Sequence, residues 1–306
     1  MIFFMISYAL LWLVRETGVE DSGRLLTCGE HPKLQALVST MQVVFLFGVV
    51  VIMLAGAASL GKQLVGIPLW CAGAVFALVV FLAALLGVQG MMAAFQFLVP
   101  VTTLCAVVIG IATWINSGAQ AAGASGSVST FLPNWVVGSL AYAAYNLFAT
   151  LGILIPIGRL LPDWRVLRRG LGAGSAVLAL LAGSIIGALT VRPEAGAQAL
   201  PMVTLAGELH PAFVPAYGVL MGLGMFSGAL GSLVAILHQL ELKFKPLSEH
   251  RVLTAAALSA AAYVAGFGNL VGTVYPIFGY ASIPFLLCLV KNFVSHRKTI
   301  GEEEAQ

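Results

Sequence analysis

The chain has 306 residues, of which 60% are hydrophobic and only 9% charged. Its mean hydropathy is +1.00. A soluble domain carries about 25% charged residues, so this composition excludes a soluble globular protein. The net charge of +3 comes with no basic patch interleaved with aromatics, which excludes a nucleic-acid-binding surface.

Apolar blocks run over 1–14, 34–60, 65–87, 91–116, 134–158, 170–191, 212–239, 252–270 and 272–290. Each block after the first has about 19–28 residues, enough to cross a ~30 Å hydrocarbon core at about 1.5 Å per residue. Gly and Ala are abundant and no block alternates with period two, so the blocks read as helices and not as barrel strands. The predicted fold is an all-α polytopic bundle of about nine transmembrane helices in direct contact with the lipid bilayer. Threading the blocks as successive spans puts thirteen of the fifteen Lys and Arg residues on one side, leaving only Lys62 and Arg192 on the other. Cytoplasmic loops retain Lys and Arg, so the C-terminus is expected in the cytoplasm and the N-terminus outside.

The first block, Met1 to Val14, spans about 21 Å as a helix, which is short for a crossing. No positive residue precedes it and no small-x-small site follows it, which argues against a signal peptide. We expect it to be a helix entered part-way, with one helix missing before it. Block two carries Thr40, Gln42 and a small-residue face from Met53 to Ser59. The segment Asn116 to Pro133 is rich in Gly, Ala and Ser and reads as an extracytoplasmic linker. It divides the chain into a first unit (1–116), the linker (117–133) and a second unit (134–306). With one helix restored at the start, the units hold five helices each and have opposite orientations, the geometry of inverted-repeat transporters.

Block five, Trp135 to Gly158, is the most informative. Tyr142, Tyr145, Asn146 and Leu147 fall near the bilayer midplane, and Tyr142 and Asn146 are four apart on one helical face. Asn is a poor helix former, and Gly138, Gly152 and Pro156 weaken the ladder further. We therefore expect a broken helix at 142–147 whose freed backbone groups and side chains bind substrate. The competing reading is that these polar groups only bond to neighbouring helices. The following loop, Arg159 to Arg169, has four arginines and is expected to set topology and to meet anionic headgroups.

Leu200–Leu209, close to Pro201 and Pro211, reads as a short interfacial helix, a re-entrant gate or a surface turn, with Glu208 its only acid. Block seven places Gly218, Gly222, Gly224, Ser227, Gly228, Gly231 and Ser232 at helical spacing. Gly218/Gly222 and Gly224/Gly228 are small-xxx-small pairs that let helices approach closely. Ser227 and Gly228 are candidates for a cation site. Asn269, Thr273 and Tyr275 mark the turn between the last two blocks.

No Asp, Glu, Lys or Arg lies in the middle of a span, which speaks against a carboxylate proton relay. No zinc spacing, no C-x-x-C and no intramembrane protease motif occurs, so neither an enzyme, a disulfide nor a bound cofactor is expected.

The runs VIMLAGAASL (51–60), AYAAYNLFATLGILIPIGR (141–159) and WRVLRRG (164–170), with the small-rich block seven, resemble the YkvI-like family of bacterial membrane proteins. That family is grouped with amino acid/polyamine/organocation transporters. The resemblance implies a LeuT-like fold of ten helices in two inverted five-helix repeats, placed in the bacterial plasma membrane. Block five would be the sixth helix, discontinuous at Tyr142–Leu147. Block seven would be the eighth, whose hydroxyls contribute to a sodium site. The resemblance also implies that the first helix of the fold is lacking. The function expected is a secondary transporter of a small amine or amino acid, coupled to Na+ or H+. The alternative is a non-transporting membrane scaffold or partner subunit.

Overall fold

The computed structural model describes residues 2–19, 21–27, 31–117, 134–158, 163–196, 200–243, 251–265 and 270–303. The linker at 118–133 and Asn269 lie outside the described residues, as do the side chains of Thr273 and Tyr275.

Across the described residues, every apolar block folds as a helix. The described elements are α1 (Ile2–Thr17), α2 (Ser22–Leu25), α3 (Pro32–Val65), α4 (Leu69–Ala84), α5 (Gly87–Asn116), α6 (Trp135–Gly158), α7 (Trp164–Val191), α8 (Pro193–Gly196), α9 (Pro201–Leu209), α10 (Phe213–Lys243), α11 (Arg251–Ala265) and α12 (Leu270–Glu303). No strand occurs among the described residues. Helices α3, α5, α6, α7, α10 and α12 are each long and apolar enough to cross a membrane. Helices α1, α4 and α11 are shorter, at 16, 16 and 15 residues. Block three thus yields less helix than its apolar length suggested. Gly66 stops α3 in the left-handed region at φ 73° and donates its N–H to Lys62, and Gly87 turns the chain at φ 65° into α5.

Local chemistry sets the other ends. Pro32 and Pro201 occupy first turns, where the missing N–H costs nothing. The Asp163 carboxylate accepts from the N–H of Arg165 at 2.8 Å and starts α7. Asp21 does the same for α2 through Gly23 at 3.0 Å.

Helices α3 and α10 cross the centre of the bundle antiparallel, in a register set by glycine. A Cβ at Gly218 would meet Leu64, one at Gly222 would meet Leu60, and one at Gly228 would meet Met53, while Gly56 of α3 in turn receives Met225. Each step of three or four residues down one helix is matched by a like step along the other, so ridges of one fill notches of the other. Around this pair, Leu46, Val50 and Leu54 of α3 pack on Leu230, Leu233 and Leu237 of α10. A second core joins α1, α3, α6 and α12 through Leu10, Leu13, Phe45, Phe148, Leu151 and Leu289. Helix α5 lies against α7, where a Cβ on Gly110 would come within 2.7 Å of the Ser184 carbonyl oxygen.

The ends of the bundle differ in charge. At one end, the Arg15 guanidinium sits 6.0 Å from the centre of the Trp164 ring. There Asp21 accepts from Ser39 at 2.9 Å and faces Lys243 at 3.8 Å, and Arg251 pairs with Glu241. Asn292 of α12 donates to the carbonyls of Leu25 and Thr27 at 3.0 and 2.8 Å. These contacts gather α1, α2, α3, α7, α10, α11 and α12 at a basic end. At the opposite end, Arg192 and Glu208 pair at 3.3 Å, which ties α9 to the end of α7.

Candidate functional site

Helix α6 runs without interruption from Trp135 to Gly158, so the break expected at 142–147 is absent from this structure. The physical reason is local. The Asn146 side-chain amide donates to the Tyr142 carbonyl at 2.8 Å, and Thr150 Oγ1 donates to the Asn146 carbonyl at 2.7 Å. The Asn146 side chain therefore binds the helix that it was expected to open, and Thr150 bonds to the same helix. A gap in the ladder lies further along. Pro156 has no N–H to give the Gly152 carbonyl. At that point Gln42 of α3 enters the core, fully buried, and its Nε2 donates to the Phe148 carbonyl at 3.0 Å. Gly152 leaves room for it, since a Cβ there would lie 3.1 Å from Gln42 Nε2.

The four residues expected to bind substrate separate onto different faces. Tyr142 and Asn146 line a 280 Å³ groove between α1, α6 and α7, which also presents Ser7, Thr150, Gly174 and Ser175. Tyr142 is 53% exposed, and its ring meets that of Tyr145 edge-on at 5.4 Å. Tyr145 leans instead toward Phe45 of α3, at 6.2 Å. Leu147 is 1% exposed and belongs to the apolar core. The candidate cation residues are also taken up locally. The Ser227 hydroxyl is buried and donates to the Leu223 carbonyl at 3.0 Å, and Gly228 is packed against Met53. Among the described residues, no group of three or more His, Cys, Asp or Glu is placed to hold a metal ion.

A larger cavity, of 480 Å³, lies in the half of the bundle away from the basic end. It is an open pocket walled by α3, α5, α7 and α10, with Leu200 at the start of α9 also in its lining. Its lining includes Met53, Thr102, Thr103, Tyr217, Met221 and Met225. Sequence reasoning passed over this site. The one available signal was the stripe Tyr217, Met221, Gly224, Met225 on a single face of α10, which reads equally well as packing. Gly224 in fact has nothing within 4 Å of where its Cβ would be, so it opens the cavity instead of packing a neighbour.

The two spaces share one wall. Leu171, Gly174 and Leu178 of α7 line the groove, and Leu181 and Ile185 line the cavity. These positions recur every three or four residues, so they form one face of α7. From Gly170 to Ile185 that face extends about 22 Å.

Comparison with known proteins agrees with a membrane-embedded bundle. The chain is 22% identical over 267 residues, 86% of its own length and 76% of the relative's, to the "Uncharacterized membrane protein YkvI" of Bacillus subtilis strain 168. No family model matches the chain. No solved structure matches it either.

Proposed function

We propose that this protein is a permease that carries a small amine or amino acid across a bacterial plasma membrane by alternating access. The observation that carries the reading is the continuous face of α7, with a polar groove at one end and a larger cavity at the other. Under this reading the nine helical blocks cross the membrane and the basic end faces the cytoplasm, in line with the retention of Lys and Arg there. The halves on either side of the linker correspond to inverted repeats with one helix unmatched. Tyr142 and Asn146 contact the polar part of the solute. The glycine-notched α3/α10 pair is the surface along which one half moves on the other. Gly152 and Pro156 give α6 a point at which to bend. Coupling is to Na+ or H+.

The test is uptake by the full chain in proteoliposomes, with radiolabelled L-leucine, L-alanine and putrescine under imposed Na+ or H+ gradients. At least one solute should enter faster than into empty liposomes. Tyr142→Ala with Asn146→Ala should cut that rate at least tenfold without loss of folded protein. Entry of none of the three above the empty-liposome rate would overturn the reading in favour of a non-transporting scaffold.

A further inference from the structure

The groove and the cavity differ in chemistry. Around the groove, Ser7, Tyr142, Asn146, Thr150 and Ser175 supply polar atoms. The cavity has no Asp, Glu, Lys, Arg or His in its lining. Of its hydroxyls, that of Thr102 already donates to the carbonyls of Leu98 and Val99 at 2.9 and 3.1 Å. A net charge placed there would lose its hydration and gain no counter-charge, so the lining rejects ions.

The cavity is also shaped to admit something. Gly224 leaves open space where any other residue would project a side chain, and a Cβ at Gly56 would meet only the mobile end of Met225, at 3.0 Å. Met53, Met221 and Met225 are unbranched and polarizable, and such side chains adapt to ligands of varied shape. The volume of 480 Å³ falls within the range of about 300–1,000 Å³ typical of small-molecule sites. It is about three times the 150 Å³ apolar cavity that binds benzene.

We propose that this cavity is a binding site for an uncharged, mainly apolar group of one or two rings. The site is distinct from the polar groove at Tyr142 and Asn146. The binding claim stands apart from the transport reading.

The experiment uses the full chain in lipid nanodiscs and measures binding of radiolabelled indole, with indole-3-acetate and tryptamine as its anionic and cationic counterparts. Empty nanodiscs correct for partition into lipid. Indole should bind saturably, one per chain, and each charged counterpart at least tenfold more weakly. Gly224→Leu should weaken indole binding at least tenfold while helix content is kept. Thr40→Ala, on α3 outside both linings, should leave it unchanged. If the leucine variant does not fold, Gly224→Ala provides the smallest filling and should weaken binding about threefold. The proposal is overturned if indole binding does not exceed partition into empty nanodiscs. It is also overturned if Gly224→Ala and Gly224→Leu bind like the parent, or if native mass spectrometry finds a retained lipid that indole does not displace. Loss of indole binding in the Gly224 variants with no uptake in the liposome assay would support the site and reject the permease.

Discussion

The same substitution, glycine to alanine, should have opposite effects at two positions of this bundle. At Gly110 of α5 the new methyl would sit 2.7 Å from the Ser184 carbonyl oxygen and 2.9 Å from its carbon. Both are backbone atoms of α7, so no side chain can rotate out of the way. Relief requires α5 and α7 to part by several tenths of an ångström, and overpacking of this kind costs about 1–3 kcal/mol. Alanine returns up to about 1 kcal/mol as the better helix former. Because the clash is with backbone, the cost falls at about 2–3 kcal/mol, and the net loss is about 1–2 kcal/mol. At Gly224 nothing lies within 4 Å of the added methyl, so only the propensity gain acts. Thermal unfolding in detergent, followed by tryptophan fluorescence, reads the difference, and Trp114 lies beside Gly187 on the same α5/α7 interface. With about 2–4 °C per kcal/mol for a chain of this size class, Gly110→Ala should melt about 2–8 °C below the parent. Gly224→Ala should melt at or above it. An alanine at 110 that is as stable as one at 224 would refute the close approach of α5 and α7.

Two further outcomes follow from the polar contacts. Gln42→Met should change stability by less than about 1 kcal/mol, because it removes the bond to Phe148 and, with it, a buried side-chain oxygen that has no partner. Gln42→Ala keeps neither bond nor volume and should cost about 2 kcal/mol or more in the same melt. At the two ends, Glu208→Gln breaks an ion pair whose side chains are about half exposed and should cost less than about 1 kcal/mol. Asp21→Ala removes the α2 cap, the Ser39 bond and the Lys243 pair together, and should cost about 1–3 kcal/mol in chemical denaturation.

The sequence by itself determined that this chain is a helical membrane protein and where its helices lie. In lipid every backbone N–H and C=O must find a partner within its own segment, so a run of apolar residues between Gly, Pro and charged punctuation can only be a helix. Each of the nine blocks therefore lies on a helix, although α7 begins at Trp164 and α12 continues to Glu303, both well outside their blocks, and α4 is shortened between turns at Gly66 and Gly87. The packing role of Gly218, Gly222 and Gly228 was legible for a similar reason, since small residues at helical spacing have few other uses.

The binding surfaces were decided by tertiary structure alone. Spacing put Tyr142, Tyr145, Asn146 and Leu147 together, yet which of them faces a groove depends on where α1, α3 and α7 lie around α6. The break in α6 was inferred from residue types, and it is absent because Asn146 and Thr150 turn their polar atoms onto carbonyls of their own helix. Gly224 and Gly228 are indistinguishable in sequence, one turn apart on α10, and only the neighbour opposite each makes one an opening and the other a notch for Met53. The large cavity is assembled from apolar residues of α3, α5, α7 and α10, each of which reads locally as ordinary core. A cavity is a property of how helices fail to touch, and that is set by the whole set of crossing points in the bundle and by no single stretch of chain.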